Sequence, residues 1–110
     1  MQSRFPTRLA MVSNGVVLVG ATNKLVDVVK QAAFSASGGG VFLTDIAGAA
    51  TLCAEVRPYA IVIPEEVYWF GGAEFDALAR DVDAGLVVVP PTIQMAVLSA
   101  SLLDEAARLG

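Results

Sequence analysis

The sequence predicts an α/β fold: a mainly parallel sheet of four to five strands with helices on both faces, giving three layers. Three observations carry this. Short apolar runs, "GVVLVG", "VFLT", "AIVI" and "LVVV", recur along the chain between glycine, proline and charged residues. Each run is apolar throughout instead of alternating, which is the pattern of strands covered on both faces. Between the runs lie stretches whose apolar residues recur at helical spacing, so strand and helix alternate.

The elements follow in order. "GVVLVG" (15–20) is β-branched, glycine-bounded and too short for a helix. "NKLVDVVKQAAF" places Leu25, Val28, Val29, Ala32 and Ala33 on one helical stripe. "SASGGG" (35–40) is expected to end that helix in a flexible turn before the second strand, "VFLT". Asp45 is placed to cap the next helix, in which Ile46, Ala49, Ala50 and Cys53 share a face. The third strand, "AIVI", is entered through Arg57-Pro58 and left at Pro64. A loop over residues 65–72 is then expected, followed by a helix, "AEFDALARDV", with Phe75, Leu78, Ala79 and Val82 inward. "LVVV" is the fourth strand, and after Pro90-Pro91 a last helix runs from about Thr92 to Arg108. Residues 1–14 read either as a leader or as an extra strand joined through Asn14-Gly15, a hairpin signal; residues 15–110 form the single domain.

Composition sets bounds on function. The chain has 110 residues, 55% of them hydrophobic and 16% charged, which is rich in apolar side chains and leaves apolar surface for a partner. The net charge is −4, and Lys24 and Lys30 are the only lysines. No basic stripe exists to neutralise phosphates, so neither nucleic acid nor an anionic membrane is an expected partner. The uncharged stretch 84–103 is long enough to span a bilayer, but Pro90-Pro91 divides it and Thr92, Gln94, Ser99 and Ser101 dilute it. A lone cysteine forms no internal disulfide, and no apolar run follows a positive start at the N-terminus. A cytoplasmic protein is the expectation.

The chemistry readable from the residues is mostly negative. The chain has no histidine, which removes Ser-His-Asp and Cys-His activation and most zinc or iron sites. Cys53 lies on an apolar helical face with no basic neighbour to lower its pKa, so packing is the expected role. "SASGGG" lies between a helix and a strand, the wrong end of the dipole for a phosphate. The Gly20–Asn23 turn is better placed for a nucleotide, though Thr22 or Asn23 serves more simply as a helix cap. Glu65, Glu66, Glu74, Asp76, Asp81 and Asp83 surround the third helix. Glu74 and Asp76 are expected to complement its dipole and the rest to be solvated. No metal, cofactor or catalytic residue is assigned.

From "GVVLVGATNKLVDVVKQAAF", "RPYAIVIP" and "WFGGAEFDALAR", the chain resembles a response-regulator receiver domain over about residues 15–92. The resemblance implies a flavodoxin-like, receiver-like sandwich. It also places the magnesium-holding acidic pair at Gly20 and Ala21, and the phospho-acceptor at Pro64. None of these can do that work, and the lysine the family carries later has no counterpart after Lys30. What the resemblance implies is a pseudo-receiver: a non-catalytic scaffold that binds a protein partner and is not phosphorylated. "IVIPEEV" and "LVVVPP" also resemble strands of the small F subunit of rotary V/A-type ATPases, an alternative with a structural role.

Two features point to interaction. Tyr68, Trp69 and Phe70 either roof the core or stand exposed as an anchor, and such residues are over-represented in interface hot spots. In the last helix Ile93, Met95, Ala96, Val97, Leu98, Ala100, Leu102 and Leu103 go nearly all the way round, and the fourth strand has no expected neighbour on one side. Both facts suggest a homodimer through the fourth strand and last helix; the other reading is that the N-terminal segment, with Phe5, Leu9, Met11 and Val12, folds back over this surface within the monomer. The candidate interaction residues are thus Tyr68, Trp69, Phe70, Ile93, Met95, Val97, Leu98 and Leu102.

Overall fold

The structure, a computed structural model, describes residues 15–20, 23–90, 92 and 95–109. The expected leader or extra strand over residues 1–14 lies outside them. Strands and helices alternate as β1 (Val16–Val19), α1 (Asn23–Ser37), β2 (Val41–Thr44), α2 (Ala49–Val56), β3 (Ala60–Pro64), α3 (Glu65–Asp81), β4 (Gly85–Val89) and α4 (Met95–Leu109). The strands form one sheet in the order β2-β1-β3-β4, and every pairing is parallel. That order is the flavodoxin-like one carried as far as its fourth strand.

The strand pleat sorts the core into two halves. Val16 and Leu18, Ala60 and Val62, and Val87 and Val89 point to the face covered by α1 and α4, where they meet Val29, Ala32, Ala33, Leu98 and Leu102. Val17 and Val19, with Ile61 and Ile63, point to the other face, where they meet Ala49 and Cys53 of α2 and Phe75 and Ala79 of α3. Central strands apolar on both sides are what this division requires. Burying each such side chain contributes roughly 1.5–3 kcal/mol.

Several boundaries differ from expectation, each for a local reason. No loop follows β3. Pro64 ends the strand and serves as the N-cap of α3, with extended φ and ψ, and the helix starts at once at Glu65. Glu65 and Glu66, not Glu74 and Asp76, therefore occupy the first turn, where carboxylates complement the helix dipole. Gly71 departs from helical angles (φ −155°, ψ 42°) and kinks α3 at the Gly71-Gly72 pair. The first helix runs through Ser35-Ala36-Ser37 instead of stopping at Ser35. The helix after β2 starts later than expected: Asp45 Oδ1 accepts the Gly48 N–H at 2.8 Å and closes a turn, and α2 begins at Ala49. Ile46 sits in that turn and is 54% exposed instead of facing the core.

Both outer strands are edges among the described residues, but they differ. Val87 and Val89 of β4 are buried. On β2, Phe42 is 43% exposed and Leu43 52%. The uncharged stretch 84–103 divides into β4 and α4, and no helix among the described residues is long and apolar enough to cross a membrane.

Candidate interaction site

In a sheet of this order, ligands gather past the carboxyl ends of the strands, where β1 and β3 part to opposite sides. Here β1 leads into Gly20, whose φ of +63° suits glycine and whose N–H donates to the Thr44 carbonyl at 2.8 Å. A Cβ at Gly20 would come 3.3 Å from a Val67 methyl. Val67, on the first turn of α3, thus closes over the end of β1, and Pro64 ends β3 beside it in register with Val89. Among the described residues, no three His, Cys, Asp or Glu side chains gather to hold a metal. Ala21 and Thr22 of the Gly20–Asn23 turn lie outside the described residues.

The aromatic run that follows divides because it is helical. Carried backwards from Phe75 at helical spacing, the inward stripe passes through Gly71 and Gly72 to Val67 and Tyr68, and leaves Trp69 and Phe70 off it. Tyr68 is half-buried. Its ring lies over Gly72, where a Cβ would stand 2.9 Å from Tyr68 Cζ, and its hydroxyl donates to Asp76 Oδ2 at 3.2 Å and Oδ1 at 3.3 Å. The hydrogen bond to Asp76, then desolvation and the carboxylate's charge, raise the phenol's pKa. Trp69 is 73% exposed and Phe70 89%. The roofing role falls to Val67 and Tyr68, and the other two aromatics stand in solvent.

Phe70 also borders an open groove of about 450 Å³ between α2 and α3. Ile46 and Ala50 lie on one wall, and Phe75, Leu78, Glu74 and Asp81 on the other. Sequence reading missed this groove. With a loop expected over residues 65–72, the phase of α3 did not extend back to Phe70, and Ile46 was placed on the helical face of Ala49, Ala50 and Cys53. The signal was the recurrence of Phe70, Glu74, Ala77, Leu78 and Asp81 at i, i+4, i+7, i+8 and i+11, one helical face.

The last helix divides its candidates differently. Leu98 and Leu102 are fully buried against the sheet and α1, so they belong to the core and form no outer surface. Val97 is 55% exposed and Leu103 54%, while Ala96, Ala100 and Ala107 are also exposed. Ile93 and the side chain of Met95 lie outside the described residues. Cys53 is fully buried in the half-core under α2, and desolvation raises its pKa to about 11. The thiolate is scarce at neutral pH, in keeping with a packing role.

Comparison with protein-family models, with curated proteins and with solved structures finds no match to this chain.

Proposed function

We propose that this chain is a pseudo-receiver, a non-catalytic module that docks a protein partner in the cytoplasm through the first half of α3. The observation that carries the reading is the exposure of Trp69 and Phe70, 73% and 89%, on a helix that starts directly at the carboxyl end of β3. Large aromatics held in solvent on a rigid helix are rare without a partner, because each forfeits the burial of its ring. The place where a phosphorylation centre would sit speaks for the same reading. Among the described residues there, Gly20, Pro64 and the methyls of Val67 have no nucleophilic or metal-binding side-chain atom. A homodimer through β4 and α4 draws less support, since Leu98 and Leu102 are spent inside the monomer.

The test has two arms. Incubation with acetyl phosphate and magnesium should leave the mass of the chain unchanged; a phosphoryl group on any carboxylate overturns the reading. Trp69→Ala and Phe70→Ala should abolish capture of the cellular partner while leaving the thermal melt unchanged. Capture that survives both substitutions removes α3 as the docking element.

A further inference from the structure

The groove between α2 and α3 constrains what kind of partner docks. Its apolar surface comes from Ile46, Phe70, Phe75 and Leu78, and Ala49 and Ala50 leave room between the helices. Glu74 and Asp81, both exposed, stand on the α3 wall, and no lysine or arginine lines the groove. Seven residues apart on one helix, the two carboxylates project from the same side and lie about 10 Å apart along the axis. A compact head group cannot meet both posts at once. Both carboxylates are exposed and hydrated, so a purely apolar ligand gains nothing from them, and an acidic one is repelled.

One chemistry satisfies the whole arrangement. An amphipathic helix laid in the groove would place apolar side chains between Ile46 and Phe75. Its own lysines or arginines, spaced i and i+7, would reach Glu74 and Asp81. The exposed ring of Phe70 extends the apolar surface beyond the groove, which suits a helix more than an enclosed small molecule. The geometry points to a basic amphipathic helix of the partner protein as the occupant of the α2–α3 groove. This rests on the docking-module reading and names the partner's chemical class.

The test uses the intact chain and a fluorescein-labelled, end-capped peptide of about 18 residues, near the length at which an isolated helix becomes stable. The peptide carries leucines at i+3 and i+4 between lysines at i and i+7. Two comparison peptides accompany it: a shuffle of the same composition and a version with glutamate for lysine. Fluorescence anisotropy at physiological salt should show the patterned peptide binding about tenfold tighter than the shuffle, and the glutamate version not binding. Glu74→Lys combined with Asp81→Lys should weaken the patterned peptide at least about tenfold. Asp27→Lys combined with Asp104→Lys makes the same charge change at exposed sites on the opposite face and should alter it less than about twofold. Ala50→Phe, which fills the groove from an exposed position, should block binding without a charge change. Equal binding of the shuffle, equal weakening by the opposite-face pair, or undisturbed binding to Ala50→Phe overturns the inference. Partner capture that is lost in Trp69→Ala but retained in Glu74→Lys/Asp81→Lys sinks this inference alone and leaves the docking reading standing.

Discussion

Burial acts on single side chains here in ways that titration can read. Cys53 is a thiol whose pKa the fold raises from 9.0 to about 11 by desolvation. Folding therefore favours the protonated form. The stability this provides is fully present below pH 9 and is lost as the pH rises toward 11. The loss is on the order of 2–3 kcal/mol. Urea midpoints measured across that range should fall more steeply for the native chain than for Cys53→Ala; parallel slopes would show that the thiol ionises freely in the fold. Tyr68 offers a second case. Asp76 accepts the hydrogen bond of the Tyr68 hydroxyl and raises its pKa, so Asp76→Asn should shift one tyrosine's absorbance titration to lower pH. Gly72→Ala should do the same by another route, because the new methyl collides with the Tyr68 ring and pushes it off Asp76. The helix-propensity gain of that substitution is about 1 kcal/mol, and the half-buried ring moves aside at its free end, so stability is expected to hold or rise while the titration shifts. Gly71→Ala meets only ordinary contacts and is the comparison.

Helix ends and helix faces decide what the sequence could disclose about the elements. Arg57 closes α2 in the left-handed region (φ 53°, ψ 58°), its N–H donating to the Cys53 carbonyl at 2.9 Å. A non-glycine residue there is strained, and the following Pro58 restricts it further. Arg57→Gly should stabilise the chain by about 0.5–1 kcal/mol in chemical denaturation; a loss would mean the arginine side chain holds something the backbone does not. The Arg-Pro pair was legible as the entry to β3, but its handedness was not, because a cap's φ depends on where the next strand must begin. On α4 the apolar residues run nearly round the helix, and sequence alone could not say which side meets the core. Packing against α1 settles it for Leu98 and Leu102. Leu98→Ala should cost about 2–5 kcal/mol, and Val97→Ala within about 0.5 kcal/mol of nothing. The strands and their order of burial were readable because a doubly covered strand has a simple pattern. The start of α3 was not, because Pro64-Glu65-Glu66 reads equally as a turn and as a helix N-terminus, and only the sheet's position chooses between them.

At the scale of the molecule the two sheet edges set how copies of this chain could meet. The sequence pointed to the fourth strand and last helix. In the fold, β4 lies between α3 and α4, and its Val87 and Val89 are buried. Among the described residues the second strand is bare: Phe42 and Leu43 point to opposite faces, each more than two-fifths exposed, and Phe34 at the end of α1 is 73% exposed. An open strand edge with apolar side chains on both faces is a template for pairing, because its backbone N–H and C=O groups gain partners as its side chains leave water. Its brevity, four residues, limits the strength of that pairing. Any concentration-dependent mass increase in light scattering should therefore be abolished by Leu43→Lys, a charge on the edge strand, and left intact by Val97→Lys on α4. Loss of association in Val97→Lys with Leu43→Lys unaffected would return the interface to the last helix. The two outcomes separate cleanly because β2 and α4 share no residue and lie at different places on the sheet, so neither substitution can act through the other's surface.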